Sequence, residues 1–530
     1  MIIGQTQSFW GLSWFFYGAA ALAVVMLLWD TIEVGRNDAA NIINSVFGAR
    51  ILPRQWAIRI AGLGVVLGAY LSGDVIEMAR KGIFTPAEFT IEQALAIYVS
   101  VYIVDTILLY TYSAFGMPVS TTMTLVFELL GASLFLGLLR DGDAINAVNW
   151  TNAGKVIGGI VCSILLSGIM GFFIQRAARG ALREKWSSLP ALLLHGGWIG
   201  GGLMAGLCYF MMVKGMKNVA FVKHFEETVL KSEYGPLITI TVLWVVFAAL
   251  IHLSLVLYRK RAAALLFPVL TVIGMASLAF AFGQNDLANC ASPGLAALEL
   301  IDGHLKGLTT ADVSEIPIAK WKLLLCGILL MFGMMSKNAL RVTHTAVRSG
   351  SAGDHVKLWA PQWCIRLAGR ILARQRAAPS LAPAVTKTQR GKTLHYDPLR
   401  ACIIVCVSAC VIATASALEL PVSTTYVAFA AVVATGMADR IFARGDAALK
   451  MGRSIWVVFC WFAAAAMATV AAGATCLIVH YIGLIGMTLC VVANLFLRQI
   501  VKRRADAQEE QVRLAAEERM HPEEFSLEEE

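Results

Sequence analysis

Four short polar segments interrupt long apolar stretches of this chain with residue types that bind ions. Two are heptads of the pattern G-x-N-D-x-A-N at residues 35–41 and 283–289, 248 positions apart. Two are pentads of sequence P-V-S-T-T at residues 118–122 and 421–425. A heptad followed by a pentad occurs twice, which predicts that the chain consists of two repeated halves.

The heptads contain the carboxylate and amide oxygens that hard cations prefer as ligands. In each heptad the aspartate precedes the last asparagine by three positions, so both side chains lie on one helix face. An ionisable residue at membrane depth is costly and indicates a functional site. The alternative, hydrogen bonding between helices, uses asparagine but rarely needs aspartate. We therefore predict that a coupling cation is bound by Asn37, Asp38, Asn41, Asn285, Asp286 and Asn289, with Asp38, Asn41, Asp286 and Asn289 as candidate Na⁺ ligands.

The pentads predict the N-termini of two helices. Proline is favoured in the first helical turn, and hydroxyl residues after it can cap the helix. Such an N-terminus presents unpaired backbone N–H groups and the positive end of the helix dipole, so it can bind an anion. Two of these ends facing each other would surround an oxyanion with donors, whereas the alternative is an ordinary kink in a membrane helix. An anion site beside a cation site predicts coupled binding, as in a symporter.

The composition is that of a membrane protein. The chain has 530 residues, 58% hydrophobic and 15% charged, with a mean hydropathy of +0.68, whereas soluble domains are about 25% charged. The apolar segments are of helical length without two-residue alternation, so we predict an all-α integral membrane protein. The net charge of +9 is concentrated in residues 337–400, where twelve Lys or Arg accompany two acidic residues. This excess favours a cytoplasmic loop near anionic lipid and does not indicate nucleic-acid binding.

The motif spacing also predicts how the chain is divided. Heptad to pentad takes 81 positions in the first half (37–118) and 136 in the second (285–421), so the basic loop is an insertion. Within it, arginines at four-residue spacing along residues 363–376 predict an amphipathic helix on the membrane surface. The predicted divisions are 1–190 (first repeat), 191–263 (connecting membrane segments), 264–336 (second repeat, first part), 337–400 (basic loop), 401–498 (second repeat, second part) and 499–530 (charged tail).

The two heptads and two pentads, in this order, resemble the PiT family of inorganic phosphate transporters. The similarity extends over residues 10–490, apart from the basic loop. The resemblance implies two inverted repeats, about twelve transmembrane segments and re-entrant helical hairpins that carry the pentads. It implies inorganic phosphate as the substrate and co-transport of Na⁺ or H⁺, with no cofactor. On this basis phosphate would be bound by Ser120, Thr121, Thr122, Ser423, Thr424 and Thr425.

Three residues depart from the usual family pattern and are candidates for tuning the site: Arg36, Gln284 and Glu128. Glu128 lies eight residues after Ser120, on the same face of the predicted helix. A carboxylate there would accept the hydrogen bond that monohydrogen phosphate, unlike sulfate, can donate, or would take the coupling proton itself. The alternative is a carboxylate that faces water or pairs with an arginine. Asp105, inside an apolar segment, is a further candidate for the cation path, with helix–helix hydrogen bonding as its alternative.

The expected function is phosphate import by a symporter that works by alternating access. The expected partners are phosphate, the coupling cation and membrane lipid, and the sequence leaves a homodimer open. The expected location is the cell membrane (inner or plasma), crossed several times, with the orientation of the termini open. The alternatives are a transporter of sulfate or another tetrahedral oxyanion, and a membrane sensor that binds phosphate without moving it. The sequence contains no nucleophile elbow, P-loop or dinucleotide motif, so an enzyme is not expected.

Overall fold

The fold is helical throughout the part of the chain that the structure describes. The structure is a computed structural model, and it describes residues 8–9, 12–72, 76, 82–85, 88–141, 146–216, 219–310, 318–336, 339–352, 356, 358–373, 394–443 and 445–517. These ranges contain 15 α-helices, and one antiparallel pair of two-residue strands, β1 (Ser8–Phe9) and β2 (Leu12–Ser13), precedes the first helix. The prediction of an all-α membrane protein is confirmed.

The helices run in order through both halves of the chain. The first seven are α1 (Trp14–Gly48), α2 (Arg54–Leu71), α3 (Ile91–Ala114), α4 (Thr121–Asp141), α5 (Trp150–Leu182), α6 (Leu189–Leu207) and α7 (Ala220–Phe225). The next eight are α8 (Gly235–Leu305), α9 (Lys320–Met334), α10 (Ala339–Ser349), α11 (Gln362–Ala373), α12 (Pro398–Ala417), α13 (Thr424–Ala438), α14 (Ala447–Ile482) and α15 (Leu484–Glu517). Short π-helical segments occupy Cys208–Lys214 and Glu226–Leu230, and Ile441–Ala443 is a 3-10 turn.

Nine of the described helices are long and apolar enough to cross a membrane, or ten if α9 and α10 form one bent span. The resemblance implied about twelve. Part of the difference lies in α8, whose 71 residues would extend about 107 Å at 1.5 Å per residue, well beyond a hydrocarbon core of about 30 Å. Its backbone breaks at Arg259 (φ 45°, ψ −117°), so α8 contains two membrane-crossing parts. Another part lies in α13, whose 15 residues are too few for a full span.

The first three residues of each pentad end a six-residue turn between two packed helices, residues 115–120 between α3 and α4 and residues 418–423 between α12 and α13. Both turns pass through a left-handed residue at the same position, Gly116 (φ 62°) and Glu419 (φ 60°). The two turns therefore have the same length and the same bend. Whether these hairpins re-enter the membrane, and whether the two halves are inverted, stays a prediction.

The two heptads lie within long helices, in α1 and α8, rather than at helix ends. Helix α8 packs against α1, α2, α6 and α12. The first residue of each heptad is a glycine in close contact with another helix backbone. A Cβ added to Gly35 would lie 2.2 Å from the Leu330 carbonyl oxygen, and one added to Gly283 would lie 2.2 Å from that of Val65. Both positions thus exclude any larger side chain.

The basic loop is partly folded onto the helices. Its predicted amphipathic helix is α11, on which Trp363, Leu367 and Ile371 are exposed, while Cys364 and Ala368 are buried. Contact of this apolar stripe with lipid stays a prediction. The charged tail is helical as far as Glu517 because α15 continues into it, and two of its acidic residues pair with the loop, Arg341 to Asp506 at 2.8 Å and Arg341 to Glu509 at 2.6 Å.

The predicted division boundaries stay predictions. The boundary at residue 190 falls in the first turn of α6, just after the short connection from α5. The boundaries at 263, 400 and 498 fall inside α8, α12 and α15. These boundaries follow the ends of apolar segments, whereas the helices continue into polar turns.

Candidate ion-binding site

The two heptads and two pentads meet in one buried cluster. Helices α1 and α8 carry the heptads through the protein interior, and helices α4 and α13 begin beside them. All twelve predicted site residues are at most 4% exposed: Asn37, Asp38, Asn41, Ser120, Thr121, Thr122, Asn285, Asp286, Asn289, Ser423, Thr424 and Thr425. Burial of so many polar groups is tolerated only when they bond to one another or to a ligand.

The pentad serines cap the helices, as predicted. The Ser120 Oγ accepts a hydrogen bond of 3.0 Å from the Met123 N–H, and the Ser423 Oγ accepts one of 3.1 Å from the Tyr426 N–H. Helices α4 and α13 therefore begin at the second hydroxyl residue of each pentad. Because each serine is used as an acceptor, its own hydroxyl hydrogen can be donated to an anion at the helix N-terminus.

The first asparagine of each heptad holds the pentad turn of its own half. The Asn37 Nδ2 donates to the Val119 carbonyl oxygen at 2.8 Å, and the Asn285 Nδ2 donates to that of Val422 at 2.6 Å. The same amide groups also donate to the neighbouring carboxylates at 2.9 Å in both halves. In the first half, the Ser113 hydroxyl donates to the Asn37 Oδ1 at 3.3 Å. These contacts fix the heptad carboxylates beside the helix N-termini.

The heptad carboxylates accept hydrogen bonds from pentad threonines. Asp38 accepts from the Thr121 hydroxyl at 3.3 Å and from the Thr425 hydroxyl at 2.9 Å. Asp286 accepts from the Thr424 hydroxyl. The two carboxylates also lie close enough for mutual repulsion. A cation between or beside them would relieve that repulsion, so the geometry suits the predicted cation site.

The last asparagine of each heptad crosses to the other half. The Asn41 Nδ2 donates to the Thr425 Oγ1 at 2.8 Å, and the Asn289 Nδ2 donates to the Thr122 Oγ1 at 2.9 Å. Within their own heptads these amides donate to the aspartates at 2.9 Å and 3.1 Å. The third pentad hydroxyls cross as well, Thr122 to the Val422 carbonyl at 2.9 Å and Thr425 to the Val119 carbonyl at 3.1 Å.

Most hydrogen bonds between the motifs therefore occur in matched pairs. Four contacts have an equivalent in the other half, whereas those of Thr425 with Asp38 and of Asn289 with Thr121 have none among the described residues. This match supports an internal repeat. It also brings hydroxyl donors and carboxylate acceptors from both halves into one buried cluster.

The three predicted tuning residues lie beside the cluster. Arg36 pairs with Glu33 one turn earlier on α1, and its guanidinium lies 5.1 Å from the centre of the Tyr110 ring. The Gln284 amide donates to the Gly215 carbonyl oxygen at 2.5 Å. Glu128 is fully buried and has no hydrogen-bond partner among the described residues. The sequence alternative of a carboxylate that faces water or pairs with an arginine is therefore wrong for Glu128.

Buried charges in the middle of α1 were not predicted from the sequence. Asp30 and Glu33 are 0% and 4% exposed, and the Arg498 guanidinium contacts Glu33 at 3.0 Å. Arg498 also stacks on the rings of Trp29 and Tyr110, at 4.4 and 4.5 Å from their centres. A sequence signal existed, because Asp30 and Glu33 precede Arg36 by six and three positions, at the end of the first apolar segment.

No three His, Cys, Asp or Glu side chains within the described ranges converge to form a metal site. The predicted Na⁺ ligands include asparagines, and their role stays a prediction. A cavity of about 330 Å³ lies beside the first pentad turn, lined among others by Arg341, Arg348 and Arg453. The Arg453 guanidinium donates to the carbonyl oxygens of Phe115 and Gly116 at 3.4 and 3.3 Å, and so supports that turn.

Comparison with known proteins agrees with the motifs. The phosphate transporter family model matches residues 34–346 and 380–472. A Thermococcus kodakarensis protein whose name proposes a phosphate permease is 26% identical to this chain, and the match covers 81% of this chain and 90% of that protein. A similarly named Pyrococcus horikoshii protein is 25% identical, and the match covers 83% of this chain and 92% of that protein. A solved structure described as the sodium-dependent phosphate transporter has the same fold, with a TM-score of 0.61 and 20% identity over 88% of this chain and 98% of that one. The chain is therefore a multi-pass membrane protein that belongs to the phosphate transporter family.

Proposed function

We propose that this protein is a secondary active symporter that imports inorganic phosphate together with a monovalent cation, Na⁺ or H⁺, by alternating access. The observation that carries the proposal is the direct hydrogen bonding of pentad hydroxyls to heptad carboxylates in both halves. The proposal places the protein in the inner or plasma membrane.

Coupling between cation binding and phosphate binding follows from the single hydrogen of each threonine hydroxyl. Each threonine hydroxyl carries one hydrogen and rotates to suit its partner. Without ligands, the hydrogens of Thr121 and Thr424 point at Asp38 and Asp286, and that of Thr425 points at either Asp38 or the Val119 carbonyl oxygen. A cation bound to a carboxylate repels these hydrogens and takes their place. They can then turn to an oxyanion held at the N-termini of α4 and α13, so cation binding favours phosphate binding.

The same arrangement explains how phosphate can be bound without lysine or arginine in the cluster. The helix N-termini supply backbone N–H groups and a positive dipole end. The cation supplies the remaining positive charge. Bound cation should therefore raise the affinity for phosphate. Bound phosphate should raise the affinity for the cation by the same factor.

Transport by the purified full-length protein in proteoliposomes tests the proposal. Labelled phosphate is supplied under an inward Na⁺ gradient, an inward H⁺ gradient, both or neither. We expect accumulation above the equilibrium level with at least one gradient and little competition by excess sulfate. Binding of phosphate without accumulation under any gradient would favour a sensor, and full competition by sulfate would favour a general oxyanion transporter.

A further inference from the structure

Three buried carboxyl groups lie together next to the ion-binding cluster, on three different helices. They belong to Asp30 on α1, Asp105 on α3 and Glu128 on α4. Their residues are 0%, 1% and 0% exposed. Asp30 lies eight residues before Asp38 and Glu128 seven after Thr121, so the group is about 10–12 Å from the motif cluster along either helix.

The carboxyl groups face one another without donors. Asp30, Asp105 and Glu128 are close enough to one another for charge repulsion. Within the described residues, both oxygens of Asp30, both of Glu128 and one of Asp105 have no hydrogen-bond partner. Ionised carboxylates only accept hydrogen bonds, so neighbouring carboxyl groups without donors favour a proton on at least one of them.

The charges around the group do not neutralise it. Glu33 on α1 adds a fourth carboxyl, and the nearby cations are Arg36 on α1 and Arg498 on α15, both paired with Glu33. The uncharged titratable neighbours are Tyr102 on α3, Cys290 on α8 and Cys326 on α9. Four ionised carboxylates against two guanidiniums would leave two negative charges buried at membrane depth, which is very costly. Bound protons remove that cost.

Helix α4 joins the carboxyl group to the ion-binding cluster. Thr124 neighbours Asp105, and its hydroxyl donates to the Thr121 carbonyl oxygen at 2.9 Å. The Thr121 hydroxyl in turn donates to Asp38 at 3.3 Å. A change of charge at Asp105 therefore acts on the residue that starts helix α4 and that contacts the heptad carboxylate.

The second half lacks all of these groups. With the heptads aligned, Asp30 corresponds to Leu278; with the pentads aligned, the other positions correspond to Ser408, Val427 and Ala431. The motif cluster is thus matched between the halves, whereas the carboxyl group occurs once per chain.

We propose that Asp30, Asp105 and Glu128 form a proton-binding site that loads from one side of the membrane and acts on the phosphate site through Thr124 and Thr121. The proposal rests on the proposed function and deepens it by placing one coupling proton in the first half only. The carboxyl group takes up a proton before or with phosphate and releases it when the site opens to the other side. No bond other than that to the proton forms or breaks.

Proteoliposomes containing the full chain test the proposal through Asp105→Asn and Glu128→Gln. These amides keep the shape of the side chains and supply the missing donors, so the fold should be retained. Phosphate uptake by the wild type should fall as external pH rises, by at most about tenfold per pH unit for one proton. Both variants should lose this dependence and the phosphate-driven movement of protons seen with an entrapped pH dye. The matched control is Glu299→Gln, which removes a carboxylate of the second half that lies 3.7 Å from Lys322 and should leave the pH profile unchanged.

A second measurement does not depend on transport. Infrared difference spectra of the purified protein on a pH jump should show the C=O stretch of a protonated carboxylic acid in the wild type and a smaller signal in Glu128→Gln. Unchanged pH profiles, proton movement and spectra in both variants would overturn the proton site while leaving phosphate symport intact. Failure of the wild type to accumulate phosphate under any gradient would instead reject the proposed function.

Discussion

The first half has three further buried carboxyl groups beside the motif cluster. The equivalent positions of the second half hold leucine, serine and alanine. At the two aspartates themselves the halves share two contacts. Each accepts from a threonine of its own pentad and from the last asparagine of its own heptad. The halves therefore share these contacts within the motif cluster and differ in the residues beside it.

This difference separates two tasks. A tetrahedral anion at the interface of two repeats can be held by donors from both, so both halves keep the same hydroxyl and amide groups. A coupling proton needs only one site, and a second unpaired carboxyl group would add a large desolvation cost. We infer that the matched residues set substrate binding and the unmatched ones set ion coupling.

The strongest test of the shared contacts removes the carboxylates. We expect Asp38→Asn and Asp286→Asn each to lower the rate of phosphate uptake by about 100-fold or more, because loss of a buried charged partner costs about 3–5 kcal/mol. Initial uptake rates in proteoliposomes, normalised to inserted protein, measure this. Asp302→Asn is the control, since that carboxylate is exposed and pairs only with Lys306 at 2.5 Å. Substantial uptake by either heptad variant would show that its half does not bind the cation.

The next test concerns the packing that holds the heptads. Gly35→Ala and Gly283→Ala should each destabilise the protein by about 1–3 kcal/mol, because the new Cβ meets a backbone carbonyl oxygen at 2.2 Å in both cases. Thermal unfolding in detergent measures the loss. Gly168→Ala on α5 is the control, since its Cβ would meet nothing within 4 Å and should stabilise the helix slightly. A neutral result at only one of the two heptads would break the packing equivalence.

A smaller effect is expected where the halves cross. Thr122→Val and Thr425→Val each remove a hydroxyl that accepts from the asparagine of the other half and donates to a backbone carbonyl. Loss of such buried hydrogen bonds costs about 1–1.5 kcal/mol, so the KM for phosphate should rise about tenfold in both. The control is Thr239→Val, whose hydroxyl bonds only within its own helix, to the Gly235 carbonyl oxygen at 2.8 Å. Unequal KM changes would indicate that one half dominates phosphate binding.

Much of this arrangement could be predicted from the sequence because the motifs are local. The pentads contain the proline and cap residues of a helix start, and the spacing within the heptads places aspartate and asparagine on one face. The crossing contacts could not be predicted, since Asn41 reaches Thr425 across 384 positions. The carboxyl group was only partly visible: Asp105 and Glu128 were candidates separately, but their contact with Asp30 depends on how three helices pack.

The smallest effect is expected at the residue before the first asparagine of each heptad. This position is Arg36 in the first half and Gln284 in the second, and the test is whether the two are equivalent. Arg36→Gln copies into the first half the glutamine found at position 284. Arg36 pairs with Glu33, and Glu33 keeps its contact with Arg498 at 3.0 Å after the change, so no carboxylate is left unpaired. We expect a loss of about 1 kcal/mol in stability and a change in uptake below about threefold.

The double variant Arg36→Gln, Arg498→Gln supplies the contrast. It leaves Glu33 without a cation, so its cost should exceed the sum of the two single changes, as a double-mutant cycle of unfolding free energies would show. A different result would change the assignment of Arg36. If Arg36→Gln alone raised the KM for phosphate tenfold without loss of stability, the guanidinium would belong to the anion site, and the two halves would differ in substrate binding as well as in proton coupling.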